Sequence, residues 1–495
     1  MKKLYYIIFF ALLLVMAGCG VKVPEKNVTD MPGVPLITPG YTGLVLPPNI
    51  APMNFEIDMP GDRYVTLVEG DAGSPLVAEG KMVKFDIGEW HKLLDANRGK
   101  ELRYSVFVGD DNGSWKRYTF SNEVAPDSID RFFSYRLIEP SFVQYGGLTI
   151  NQRDLSSFDE TVIFNNSFPC EETRGFCINC HVPRNQNSEA RSQFHVRQFN
   201  GGTVLIDGDK AEKVNLKTDS TLSAGVYPAW HPSLDIMAYS VNETHQRFFT
   251  ADNQKVEVID GASGLILYDI NRGTVSTIVD DPDVMETFPA WSPDGTTLYY
   301  SAARYPEGVT PDKVDMAFDS LRYDILAMRF NPADRSFSAP DTVVAASQRG
   351  KSALLPRVSP DGKWLLFCEA DHGTFHIWHK DSDLFVMNLA TGDITPLSEA
   401  NSDDTDSYHS WSSNSRWIVF SSRRDDGSYT RPYITYFAPD GKSSKAFVVP
   451  QEDTSFYKDL MKSYNVPEFM VQPIKVSRRE LVRAVSSEAR QAIYE

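Results

Sequence analysis

Apolar and polar residues alternate along this chain in short runs closed by turn residues. Asn54-Phe55-Glu56-Ile57, Tyr64-Val65-Thr66-Leu67-Val68, Met82 to Ile87, Arg103 to Val108 and Trp115 to Phe120 all follow this pattern, with Gly61-Asp62 and Asp111-Asn112-Gly113 among the separators. A period of two places successive side chains on opposite faces, so the series predicts strands. Over residues 49–125 it predicts a fibronectin-like β-sandwich. Trp90-His91-Lys92-Leu93-Leu94 predicts one helical turn between strands.

The second half of the chain repeats a unit. Tyr227-Pro228-Ala229-Trp230-His231-Pro232 returns as Phe288-Pro289-Ala290-Trp291-Ser292-Pro293-Asp294-Gly295 and as Leu355-Pro356-Arg357-Val358-Ser359-Pro360-Asp361-Gly362. A further copy is Tyr408-His409-Ser410-Trp411-Ser412-Ser413-Asn414, and each copy runs into an apolar strand such as Leu298-Tyr299-Tyr300-Ser301 or Trp364 to Cys368. A turn and strands repeated at roughly 50–70 residues mark a propeller with one blade per repeat. Four blades are clear, at 226–279, 287–345, 354–398 and 407–450. Two weaker strand pairs precede them: Leu148 to Arg153 with Val162-Ile163-Phe164, and Thr203 to Ile206 with Lys213 to Leu216. The expected propeller therefore has about six blades and spans 126–455.

The amino terminus reads as an export signal. Met1-Lys2-Lys3 precedes an unbroken apolar run from Leu4 to Met16, which ends at Met16-Ala17-Gly18-Cys19. The run is short for a membrane span, and small residues before a cysteine are similar to a bacterial lipobox. On that reading 1–18 is a lipoprotein signal peptide and Cys19 is the acylated residue, which makes the protein an exported lipoprotein held at a membrane. Residues 19–48, rich in Pro, Gly and Val, read as a flexible tether. An ordinary cleaved signal with an incidental cysteine is the rival.

Cys177-Ile178-Asn179-Cys180-His181 has the spacing of a covalent haem attachment site. Each thiol can add to one haem vinyl group, and the following histidine becomes the proximal iron ligand. A redox dithiol would want a βαβ setting, and the flanks read as loop. A zinc site would need a fourth ligand, and no Cys or His pair follows at finger spacing. The haem segment is expected as a short insertion at 166–200, too short to bury a porphyrin by itself. Phe176, with Phe164, Phe168 and Phe194, is available to pack the ring, and Arg197 or Arg191 to meet its propionates. For the sixth position His195 is the leading candidate. His231 is the second, since it stands where other blades carry Ser292, Ser359 and Ser412. Met237, Met470 or an open site complete the alternatives.

The remaining chemistry narrows the picture. The chain has 495 residues, a net charge of −17 and 12% aromatic residues. No basic stripe appears, so nucleic acid is not an expected partner. Of the five cysteines, Cys170 and Cys368 are left over, and Cys368 sits in a run that predicts a buried strand. His379 and His409 lie at blade edges and are expected to hydrogen-bond neighbouring strands. Asp280-Asp281-Pro282-Asp283 and Ser402-Asp403-Asp404-Thr405-Asp406 have calcium-loop composition, although a solvated turn is the simpler reading. No Ser-His-Asp order, phosphate loop or paired-carboxylate motif stands out. Ser477-Arg478-Arg479-Glu480 reads as a capping box, with Leu481, Val485, Ala489 and Ala492 as the apolar stripe of a docking helix in the tail 456–495.

The blade repeats resemble those of TolB-like, PD40-type propeller lipoproteins. The wider pattern is similar to cytochrome c-bearing members of that group from Bacteroidetes-type bacteria. The stretches that carry it are Tyr135 to Pro140, the CxxCH motif, Ser223 to Pro228, Ile377-Trp378-His379-Lys380, and Tyr408 to Ser412 through Arg423-Arg424. The resemblance covers most of residues 40–470 and implies the architecture and haem c, not a reaction.

The fold class expected is all-β: a β-sandwich, then the propeller with its haem-c insertion, then a carboxy-terminal helix. The function expected is a lipid-anchored extracytoplasmic monohaem cytochrome that exchanges electrons with a redox protein docked on the propeller. The alternatives are a haem-dependent oxidoreductase acting on a small molecule, and a binding scaffold in which haem senses redox state or serves structure.

Overall fold

Most of the period-two runs become strands. A computed structural model describes residues 21–139, 147–168, 176–250 and 254–495. The chain is all-β with a few short helices and divides into two compact units. Cys19 and Cys170 lie outside the described residues.

Among the described residues, the first unit takes 21–43, 52–124 and 451–454. One of its sheets orders Val28–Asp30, Trp115–Val124, Glu101–Gly109, Arg63–Glu69 and Leu76–Glu79. A second sheet pairs Ile37–Thr38, Phe55–Ile57 and Met82–Val83. Two expectations change here. The predicted helical turn is a ten-residue helix, Ile87–Ala96, because Asp86 caps it by accepting from the Glu89 amide at 3.0 Å while Trp90, Leu93 and Leu94 are buried. The stretch 19–48 is not a free tether throughout. Val28–Asp30 runs parallel to Trp115–Arg117 and Tyr41 is buried, while Leu44 and Leu46, assigned to the second unit, are buried too, because the stretch carries apolar side chains among its prolines.

The second unit is a propeller of six blades. Five take their strands in chain order, with innermost strands Ile178–Pro183, Val226–Trp230, Val284–Trp291, Ser352–Val358 and Asp406–Trp411. The remaining blade joins the two ends of the ring. Its outer strands are Phe132–Ile138, Thr149–Asp154 and Glu160–Asn165, and its innermost strand is Ser463–Met470 from the carboxy-terminal part. The segment 456–495 thus supplies a blade strand as well as a helix. Helix Arg478–Ser486 buries Leu481, Ala484 and Val485. Ser477 caps this helix by accepting from the Glu480 amide at 3.2 Å, as the capping box requires, while the Glu480 carboxylate accepts from the Ala211 amide at 3.1 Å instead of completing the reciprocal half. Ala489 and Ala492 lie beyond the helix, beside two short strands that extend the second and third blades.

The CxxCH segment is not an insertion. It enters and forms the innermost strand of the second blade, followed by Arg191–Val196, Gly202–Asp207 and Lys210–Asn215.

Candidate functional site

Each innermost strand carries the same irregularity. The ladder slips between Asn179 and Val182, Val226 and Ala229, Thr287 and Ala290, Leu354 and Arg357, and Ser407 and Ser410. On Ser463–Met470 the slip falls between Asn465 and Glu468. The first residue of every bulge is left-handed: Cys180 (φ 50°), Tyr227 (47°), Phe288 (52°), Leu355 (58°), Tyr408 (46°) and Val466 (51°). A non-glycine residue there costs on the order of 1–3 kcal/mol, and such strain persists where the surroundings fix the backbone. The second residue is Pro228, Pro289, Pro356 or Pro467 in four blades, and His181 or His409 in the other two. A bulge leaves its extra residue out of the ladder, which is why proline is tolerated inside these strands.

The six left-handed residues all border one axial cavity, which holds about 1310 Å³ of space free of protein atoms, its open mouth included. Cys177, Cys180 and His181 all line it. In a regular strand residues three apart face opposite ways. The left-handed Cys180 and the slipped ladder re-aim the strand, so that both cysteines reach the same cavity. Neither thiol is in a disulfide.

Burial sets the electrostatics of this wall. His181 is 5% exposed, and neither ring nitrogen has a hydrogen-bond partner. Burial, and behind it the Arg136 guanidinium, hold its pKa down to about 3, so the imidazole is neutral at physiological pH. Backbone groups of Ser134 and Val466 approach the ring without completing a hydrogen bond. Burial pushes the Cys180 thiol up, with Arg197 pulling the other way. Arg136 donates to the Ile178 carbonyl at 3.2 Å and to Asn465 Oδ1 at 2.8 Å. Arg357 pairs with Glu468 at 2.8 Å. Arg136 and Arg197 put positive charge on the cavity wall, where the charge of Arg357 is balanced by Glu468, beside apolar Phe288, Leu355 and Val466.

The residues present suit a thioether-linked haem in three respects: two unpaired thiols on one wall, an unpartnered neutral imidazole next to them, and cationic side chains for propionates. Cys177, Cys180 and His181 would hold it.

The other predicted site residues are placed differently. Arg197 lines the cavity. Phe176 is fully buried in a core with Phe164, Phe194 and Leu481, away from the cavity wall. His195 lies on the adjacent strand and lines a separate hollow, its Nδ1 3.2 Å from the Thr203 hydroxyl. His231 is committed to a turn. Its Nε2 donates to the Gly295 carbonyl at 3.1 Å, and its Nδ1 accepts from the amides of Ser233 and Leu234. Ser292, Ser359 and Ser412 stand at the corresponding turns and accept from amides five residues on, those of Thr297, Trp364 and Trp417, whereas His231 accepts from amides two and three residues on. The departure at His231 therefore reflects turn capping. Among the described lining residues His181 is the only histidine, and there is no methionine.

Arg191 pairs with Asp235. His409 Nε2 donates to the Leu355 carbonyl at 2.8 Å, and His379 meets the Glu257 carboxylate. Asp406 of the acidic loop pairs with Arg424 at 2.8 Å, and Asp281 caps its own turn through the Asp283 amide. Cys368 is buried and unpaired, and its thiol is pushed up to about 12 by desolvation. Sequence reasoning missed that the CxxCH segment is itself a blade entry. The signal was available in Cys180-His181-Val182-Pro183 set against Tyr227-Pro228-Ala229-Trp230, but the second blade lacks the Ser-Pro-Asp-Gly turn that marks two of the others.

No family model matches the chain, and no curated protein matches it in sequence. Solved structures similar to it include TolB from Acinetobacter baumannii, at 10% identity and a TM-score of 0.41, covering 78% of this chain and 85% of that one. Kuenenia stuttgartiensis hydrazine synthase is similar at 11% identity and a TM-score of 0.45, over 69% of this chain and 46% of that one. An oligogalacturonate lyase in complex with manganese is similar at 11% identity and a TM-score of 0.37, over 64% of this chain and 73% of that one.

Proposed function

We propose that this protein is a lipid-anchored, extracytoplasmic monohaem c-type cytochrome whose haem sits in the axial channel of the propeller, fixed through Cys177 and Cys180 with His181 as proximal ligand. The observation that carries the proposal is His181. A buried imidazole with no partner on either nitrogen, beside two free thiols on the same cavity wall, is an unsatisfied set that haem iron and vinyl groups complete. A haem so bound supplies one-electron chemistry. The chain's residues hold the imidazole neutral, place Arg136 and Arg197 for acidic substituents, and present apolar blade entries such as Phe288, Leu355 and Val466. Cys19 tethers the protein to a membrane, and a redox protein partner docks on the propeller.

The cavity lining favours a second reading, an oxidoreductase with an exchangeable sixth position. His195 and His231 are engaged elsewhere, while Tyr227 and Tyr408 border the channel. Carbon monoxide added to the reduced haem protein separates the two. The electron-carrier reading expects an unchanged spectrum. Rapid binding, with a high-spin ferric form, overturns it in favour of the second.

A further inference from the structure

Two strands of the third blade, Ile236–Phe248 and Val256–Asp269, extend well past their neighbours. Glu257 stands near the start of the second, 0% exposed. The connection between Trp364–Ala370 and Asp383–Asn388 of the fifth blade brings His372 and His379 to it. His379, 1% exposed, has Nε2 at 3.1 and 3.3 Å from the two Glu257 oxygens. The His372 and His379 rings lie 4.7 Å apart at 61°. One ligand atom from each residue can be chosen so that all three lie within 4.8 Å of one another.

An ordinary buried His–Glu hydrogen bond accounts for part of this arrangement, and the Gln254 amide also donates to Glu257. It does not account for His372, whose Nε2 is buried and has no partner. A buried nitrogen left without a partner is destabilising. Nor does it account for Gly373. With φ at +80°, a Cβ there would stand 2.9 Å from Glu257 Oε1 and 3.0 Å from His379 Cε1, so the backbone presses against the cluster. Phe318 closes the side by His372, ring to ring at 5.7 Å.

We propose that Glu257, His372 and His379 form a divalent-cation site of the zinc type, with two imidazoles, one carboxylate and the fourth position open. Imidazole and carboxylate together suit zinc and similar cations. Bonds of ~2.0–2.1 Å place tetrahedral ligand atoms roughly 3.3 Å apart, so Glu257 and His379 already have the separation, and His372 has at most ~1.5 Å to travel. The bound cation staples the long hairpin of the third blade to the loop of the fifth. Val258, Phe375, Ile377 and Trp378 of those same segments line the axial cavity, so the staple fixes that part of the wall. The site stands independently of the haem proposal.

The test is zinc titration of the chelator-treated full chain by calorimetry with metal analysis, carried out in the Cys177→Ser/Cys180→Ser background so that the haem motif contributes no ligands. One equivalent is expected, with affinity lowered at least about tenfold by His372→Ala, a change at a partly exposed residue that circular dichroism verifies as folded. Cobalt in place of zinc should give the intense visible bands of a four-coordinate ion. Absence of binding in the background protein overturns the proposal. So does an equivalent that survives both His372→Ala and Glu257→Gln, or one that the parent binds and the background loses.

Discussion

His181 and His409 hold the same position in two blades, yet only His409 has a hydrogen-bond partner. Each follows the left-handed residue of a bulge on an innermost strand. His409 donates to the Leu355 carbonyl at 2.8 Å, whereas both nitrogens of His181 are unpartnered. One histidine is accounted for by the fold and the other is not. In the haem-free chain, His181→Pro should therefore fold with stability within about 1 kcal/mol of the parent, since four blades carry proline there. His409→Ala should lose about 1–3 kcal/mol by stranding a buried carbonyl. Denaturant unfolding of the two variants checks the contrast.

The protonation of His195 predicts an acid limb. Burial first, and Arg197 second, hold its folded pKa at about 3, against 6.5 in the unfolded chain. Below about pH 6.5 the unfolded chain binds a proton that the folded chain excludes, so stability falls as pH drops toward 3. His195→Asn removes that group. Relative to the parent, the variant should gain up to about 1.4 kcal/mol per pH unit on going down through this window. Unfolding free energies at several pH values between 6.5 and 4 check the sign.

Much of the propeller was legible because apolar runs and Pro-Asp-Gly turns repeat in the chain. The first blade was only half visible. Its outer strands at 149–165 have the right alternation, but its innermost strand, Ser463–Met470, is some three hundred residues away and carries no turn motif. The CxxCH segment was legible as a motif and not as a blade strand. Cys180 and Tyr227 are equivalent only through backbone conformation, which residue types as different as Cys, Leu and Tyr conceal. His231 misled for the opposite reason, since a local change from Ser to His supplies a different cap within the turn and suggested a ligand. The Glu257–His372–His379 cluster joins two blades, and no spacing in the chain announces it.

Removal of the carboxy-terminal strand should open the ring. A chain ending at Pro450 lacks the innermost strand of the first blade, including the pairing of Phe132 to Ile138 with Met470 to Ser463. It should lose cooperative unfolding and near-ultraviolet circular dichroism, whereas a chain ending at Val476 should keep the six-bladed ring. Spectroscopy of both truncations checks this.

Thiol chemistry separates the cysteines. Cys368 is fully buried with its thiol pushed up to about 12, so the thiolate is scarce at pH 8. Iodoacetamide should leave it unmodified in the native chain and label it after unfolding, as peptide mass analysis would show.

The most direct measurement is acid–acetone extraction of the purified protein, exported from a host competent in haem maturation, with the Soret band followed in both fractions. The account predicts one haem per chain that stays with the polypeptide, and none in Cys177→Ser/Cys180→Ser protein of the same fold. Pigment that leaves with the solvent, or no Soret band at all, contradicts it.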